Sequence, residues 1–175
     1  MIYITNYSSK LGDILLASDG ENLIGLWFKN QKYYLYKITD ELIKNDDLKI
    51  FHETKKWLDK YFKGIQVSPN DLKLKPNGSP FQQEVWKILC SIPYGKTITY
   101  GDIAKKIAQK QGKKSMSAQA VGGAVGHNPI SIIIPCHRVV GFNGSLTGYA
   151  GGIDKKIALL KLEETNIKSS QKSRA

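Results

Sequence analysis

A proline, a cysteine, a histidine and an arginine stand in one run, Pro135-Cys136-His137-Arg138. A thiolate is the nucleophilic form of cysteine, and a neighbouring positive charge or base lowers the thiol pKa from about 8.5. Cys136 is therefore the first candidate for a reacting group, with His137 beside it as a base. Neighbours on a strand point to opposite faces, so the pair can touch only if the chain turns there, which Pro135 favours. Cys90 supplies the contrast. It sits in Trp86-Lys87-Ile88-Leu89-Cys90, on helical apolar spacing and with no charged partner following, and it reads as core or core-flanking. Two cysteines without a CxxC pair give no zinc-finger spacing, and His52, His127 and His137 show no metal-binding spacing. No metal and no cofactor is expected, and a lone disulfide is disfavoured in a reducing compartment.

The elements that must position these residues fall into two halves. In the first, Ile2-Tyr3-Ile4, Ile14-Leu15-Leu16 and Leu23 to Phe28 are β-prone and separated by Gly12-Asp13 and Asp19-Gly20. This pattern predicts a small antiparallel meander. Ile50, Thr54, Trp57, Leu58 and Tyr61 then fall at helical spacing, ending before Gly64. Breakers crowd residues 68–78, and a boundary is placed there, giving an N-terminal domain of 1–78 and a C-terminal domain of 79–165. In the second half, Ser79-Pro80 reads as a helix cap followed by proline at the first position. Phe81, Val85, Ile88, Leu89 and Ile92 form its apolar face. Thr99 or Tyr100 starts a short helix, and Ala118 to Val125 forms another across a polar connector, a pairing that resembles a helix-turn-helix. Gly122-Gly123 costs that helix on the order of 1 kcal/mol per glycine relative to alanine, which close approach of another backbone would justify. Ile130 to Ile134 reads as a buried strand ended by Pro135, residues 141–152 as a glycine-rich loop, and Asp154 as the cap of a last helix. Residues 166–175 read as a basic disordered tail. The expected fold is α+β.

Charge is distributed unevenly over the 175 residues. The net charge is +11, with 12 lysines against 10 acids in residues 1–78, 11 basic residues against 5 acids in 79–165, and three basic residues with no acid in 166–175. A basic second half suits a nucleic-acid partner, because lysine and arginine displace phosphate counterions; a solubilising surface would look the same. No stretch approaches the roughly 18 consecutive apolar residues of a membrane helix, and the opening residues lack a signal-peptide pattern. The protein is expected in the cytoplasm, off the membrane, as a monomer.

The run Asn128-Pro129-Ile130-Ser131-Ile132-Ile133-Ile134-Pro135-Cys136-His137-Arg138-Val139-Val140 resembles the active-site signature of the O6-alkylguanine-DNA alkyltransferases, also called methylated-DNA–protein-cysteine methyltransferases. Pro80-Phe81 with Val85-Trp86, the stretch from Tyr94-Gly95 to Thr99-Tyr100, Ala120 to Ala124, and Gly148 to Gly152 match in order around it. The resemblance covers residues 79–165, and more loosely the whole chain. It implies a ribonuclease-H-like N-terminal domain and a winged-helix-like C-terminal one. It also implies DNA repair by once-only, irreversible transfer of an alkyl group from O6-alkylguanine in double-stranded DNA to Cys136, and leaves O4-alkylthymine open as a second substrate.

The same resemblance implies roles for other positions. His137 generates the thiolate through a water, and Glu163 orients His137. Tyr100 donates a hydrogen bond to the departing guanine. Asn128 ties the recognition helix to the active-site segment. Arg138 and Val139 join the DNA and base-pocket set, the Val139 carbonyl accepting from the guanine amino group. Tyr149 and Ala150 wall the pocket, with the Ala150 N–H near O6; the family often has serine there. The target base must leave the stack, and the family extrudes it with a slender helix in the minor groove. Ala118, Ala120, Gly122, Gly123 and Ala124 supply that slenderness. Gln119 stands where the family usually has an arginine finger. Some relatives hold zinc in the first half, but residues 1–78 contain no cysteine and only His52.

Three other classes fit parts of the sequence. A lesion sensor of alkyltransferase-like type would lack the acceptor cysteine. A helix-turn-helix regulator would leave Cys136 and His137 without a task. A cysteine hydrolase would use both, but with turnover.

Overall fold

The computed structural model describes the backbone of residues 1–173 and the side chains of residues 1–164. Strands β1 (Ile2–Ser9), β2 (Gly12–Ser18) and β3 (Leu23–Phe28) form the antiparallel meander that the turn signals predict. A fourth strand, β4 (Leu42–Lys44), pairs parallel to the outer edge of β1, so the sheet is mixed rather than purely antiparallel, in the order β3-β2-β1-β4. Its three residues carry too little pattern to stand out in the sequence. Alternation along β2 divides the faces: Ile14 and Leu16 enter the main core, while Leu15 and Ala17 meet Trp27 on the far side. Gly25 has to be glycine, because a Cβ there would lie about 2 Å from the Trp27 indole.

Helix α1 (Lys49–Phe62) lies against the main face and buries Phe51, Thr54, Leu58 and Tyr61. A short turn at Pro69–Asp71 leads to α2 (Pro80–Cys90). Ser79 caps α2 and Gln82 reaches back to the Ser79 amide, a reciprocal box that satisfies two orphan N–H groups. The same device starts α3 (Tyr100–Lys110) with Thr99 and Asp102, and Ser117 caps α4 (Ala118–Gly126). Such caps stabilise a helix by about 1 kcal/mol each. Between α2 and α3, β5 (Ile98–Thr99) pairs parallel with β6 (Val139–Val140). The Trp86 indole N–H donates to the Ala124 carbonyl at 2.9 Å and binds α2 to the helix-turn-helix pair α3–α4.

Helix α5 (Ile153–Ser173) closes the fold, starting one residue before Asp154, which sits in its first turn rather than at its cap. The basic tail expected to be disordered from 166 is carried as helix through Ser173, since no glycine or proline interrupts 166–173. Residues 174 and 175, and the side chains from 165 onward, lie outside the described residues. The main core is continuous across both halves, running from Leu16 and Leu26 in the sheet through Val85 and Leu89 to Leu159 of α5. Among the described residues no helix is long and apolar enough to cross a membrane.

Candidate active site

The segment expected as a strand at Ile130–Ile134 is instead a coiled turn. Only Ile130 makes a bridge, parallel to Leu26 of β3. Beyond it Ile132 adopts φ +70°, and the Ile134 amide turns back to the Ile130 carbonyl at 3.1 Å. Asn128 sets this shape. Its side-chain oxygen accepts from the Ile130 amide at 3.0 Å, and its amide donates to the Ile134 carbonyl at 2.8 Å. All five residues are buried all the same, so an apolar run of five cannot by itself distinguish a strand from a turn packed in the core. The Asn128 amide also donates to the Val125 carbonyl of α4 at 3.3 Å, so this residue joins the end of α4 to the segment leading into Cys136.

After Pro135, residues Cys136–Arg138 form one 3-10 turn. Successive side chains on such a turn diverge by about a third of a revolution, so Cys136 and His137 leave in different directions. Cys136 faces an open cavity of about 740 Å³ bordered by α4, Tyr100, and the loop Thr147–Ala150. His137 and Arg138 turn the other way, to Glu163 of α5. His137 Nε2 lies 2.5 Å from Glu163 Oε2, and Arg138 Nε donates to Oε1 at 2.8 Å. The Gly95 amide at 3.0 Å and the Tyr61 hydroxyl at 2.7 Å complete four donors on one buried carboxylate.

The electrostatics of this cluster follow. Burial alone would raise the Glu163 pKa, but the His137 and Arg138 bonds and charges outweigh it and hold the carboxyl at about 2. An ionised Glu163 can only accept, so His137 Nε2 carries the proton and Nδ1 keeps its lone pair. Nδ1 is buried and has no hydrogen-bond partner among the described residues. Burial, aided by the nearby Arg138 and Lys156 charges, pushes the His137 pKa down against the pull of Glu163. The imidazole is therefore neutral and able to take a proton. Burial also raises the Cys136 thiol, and Asn128 and Lys156 offset this only in part. The sequence led us to expect a thiol already lowered by its neighbours; here the resting thiol keeps its proton and needs a base.

The remaining site residues separate into two groups. Gln119, Gly123, Tyr149 and Ala150 border the cavity with Cys136 and Tyr100, whose hydroxyl accepts from Thr147 at 3.0 Å. A Cβ at Gly123 would meet nothing and one at Gly122 would only touch Tyr100 at 3.9 Å. Nothing among the described residues requires these glycines, so packing there does not explain their helix cost. Ala120 is exposed on the same helix. Arg138 does not border this cavity. It is buried, its guanidinium donates to Glu163 and to the Ile92 carbonyl at 2.7 Å, and it lies over the Tyr94 ring. The reason is that the 3-10 turn points it at Glu163, the only buried carboxylate among the described residues. Val139 is fully buried and its carbonyl accepts from Lys156 Nζ at 2.6 Å.

Four contributors do not stand out in the sequence. Lys156 is buried and also reaches toward the Thr147 and Gly148 carbonyls, so it pins the cavity loop to β6. It shares the buried face of α5 with Leu159 and Glu163, at spacings of three and four, which was the available signal. Tyr61 shows in the sequence only as one of the positions at helical spacing. Lys32 and Tyr33, on the loop after β3, border the cavity, and the Lys32 amide donates to the Ala150 carbonyl at 3.0 Å.

Residues 80–165 match the family model described as the DNA binding domain of 6-O-methylguanine DNA methyltransferase, and residues 2–76 match its ribonuclease-like domain. A methylated-DNA–protein-cysteine methyltransferase of Methanosarcina mazei is 46% identical over 167 residues, covering 95% of this chain and all of that one. The enzyme of the same name from Haemophilus influenzae is 40% identical over 163 residues, covering 93% of this chain and 87% of its own. Among solved structures, Mycobacterium tuberculosis OGT in complex with DNA superposes with a TM-score of 0.80 at 40% identity, covering 94% of each chain.

Proposed function

The chain belongs to the 6-O-methylguanine DNA methyltransferase family, and on that premise we propose that Cys136 is the sulfur that receives the alkyl group, with His137 and Glu163 as its proton relay. The activity is DNA repair by transfer of a methyl or alkyl group from O6-alkylguanine in DNA to a protein cysteine. The observation that carries the residue assignment is a buried thiol on an open cavity, backed by a neutral histidine whose tautomer Glu163 dictates.

The reaction runs as one displacement. The Cys136 proton passes, through a water, to Nδ1 of His137, where Glu163 stabilises the imidazolium across Nε2. The thiolate sulfur forms a bond to the alkyl carbon as the carbon–O6 bond breaks, and the electron pair of that bond passes into the guanine ring. The Tyr100 hydroxyl hydrogen-bonds the ring as charge develops there, and the Ala150 N–H serves O6. One lone pair of the Val139 carbonyl is taken by Lys156, leaving the other for the guanine amino group. Guanine recovers a proton on release, so the net change is an alkyl group for a hydrogen on sulfur. The product is a thioether, which water does not cleave at neutral pH, so each chain reacts once.

The target atom lies inside the duplex, so the base enters the cavity by extrusion. The bare outward face of α4 around Gly122 and Gly123 suits close approach to a minor groove, and the exposed Gln119 at the cavity rim fills the gap in the stack. Cys136→Ala tests the assignment. The variant should bind duplex containing O6-methylguanine as the parent does, yet leave the modified base intact when the DNA is digested and its nucleosides are separated. Clearance of the lesion by Cys136→Ala would remove Cys136 as the acceptor.

A further inference from the structure

The Tyr61 hydroxyl lies in the core, where a phenylalanine would fill the same space without a polar atom to satisfy. Its ring is fixed on three sides. It stacks parallel on Trp57, with centroids 5.6 Å apart and planes at 5°, and meets Phe62 and Tyr94 edge-on at 5.4 and 6.3 Å. Tyr61 is fully buried, and its hydroxyl donates at 2.7 Å to Glu163 Oε2, the same oxygen that takes the His137 N–H. Arg138 and Gly95 donate to the other oxygen, Oε1. Two donors on one oxygen share its negative charge, so each weakens the other's bond.

We propose that Tyr61, contributed by the N-terminal half of the chain, is a positioning residue for alkyl transfer: by sharing Glu163 Oε2 with His137 it sets how strongly that carboxylate holds the imidazole, and hence the pH at which His137 accepts the Cys136 proton. The proposal rests on the reading of His137 and Glu163 as the relay. It gives the first half of the chain a part in the chemistry as well as in the fold. The other groups facing the pair act differently. Arg138 pairs with Oε1, Tyr94 packs against the Tyr61 ring and the Arg138 guanidinium, and Lys156 is bonded to the Val139 carbonyl and acts through space. Cys136 faces the cavity. None of these competes for Oε2.

The test is the pH profile of the single-turnover rate constant for methyl transfer from O6-methylguanine duplex, measured on the full chain. In Tyr61→Phe the ring stack is kept and His137 becomes the one side-chain donor left on Oε2, so its hold tightens. The rising limb should move to higher pH by about half a unit to one unit, the size of one neutral hydrogen bond. Replacing Tyr61 with 3-fluorotyrosine, an isosteric and stronger donor, should move it to lower pH, and this variant decides the matter if Tyr61→Phe folds poorly. Adding Tyr61→Phe to Glu163→Gln should move the profile no further than Glu163→Gln alone. If Glu163→Gln moves the limb while both Tyr61 variants follow the parent, Tyr61 only fills space and the inference is overturned with the relay intact. If Glu163→Gln leaves the limb in place, the relay reading itself fails, and the Tyr61 inference with it.

Discussion

Replacing Glu163 by glutamine keeps the side chain's shape and removes its charge from beneath four donors. The size of the effect can be worked from the carboxyl itself. Its pKa is about 2 in the folded chain against 4.5 for an unperturbed group. At 1.36 kcal/mol per unit this corresponds to roughly 3 kcal/mol of stability. The range for removing one partner of a buried ion pair, about 3–5 kcal/mol, agrees, since Arg138 would be left buried without a counter-charge. Because the folded pKa is depressed, this stability is complete above about pH 4.5 and is lost as pH falls toward about 2. Glu163→Gln should therefore be about 3 kcal/mol less stable than the parent in urea at pH 7, with a melting temperature lower by about 6–12 °C. The gap should narrow between pH 4.5 and 2.5, where the parent's carboxyl is protonated in the unfolded chain but still ionised in the folded one. A gap below about 1 kcal/mol at pH 7, or one that stays constant down to pH 2.5, would refute the account of Glu163 as an ionised hub.

Asn128→Ala removes the two side-chain bonds to the turn before Cys136 and leaves the Ile130 amide unsatisfied, while the Ile134 carbonyl keeps the Cys136 amide at 2.8 Å; a loss of about 1–3 kcal/mol in urea denaturation is expected, with alkyl transfer slowed in whatever fraction stays folded. Gln119→Arg adds a positive charge at the exposed start of α4 and should tighten duplex binding at matched salt, with a steeper salt dependence; unchanged or weaker affinity would count against a finger role. Burial raises the Cys90 thiol to about 11, so Cys90→Ser should accept as many alkyl groups as the parent, and peptide mass analysis of the parent should find Cys90 unmodified.

Much of this was legible because local chemistry and global fold agree. Ser79-Pro80 announces a helix start by its side-chain chemistry and Thr99 is one of two candidates for the next, and the structure uses both as caps, completed to boxes by Gln82 and Asp102. The spacing of Trp57, Leu58 and Tyr61 locates α1 and its buried face. What failed depended on partners distant in sequence. The run Ile130–Ile134 has the composition of a strand, but one asparagine folds it into a turn. Arg138 looked like a pocket residue until Glu163, 25 positions away, claimed it. Tyr61 and Lys156 each lie on a buried helical face, where the bland reading is packing. Only the Glu163 carboxylate, 102 residues from Tyr61, and the Val139 carbonyl reveal what their polar ends do.

Intact-protein mass after incubation with excess O6-methylguanine duplex tests the central claim most directly. Folded, reduced protein should gain one methyl group per chain and no more, and the mass should then stay fixed however much substrate remains. A protein whose mass is unchanged, or one that clears more lesions than there are chains, would contradict an acceptor thiol at the cavity floor.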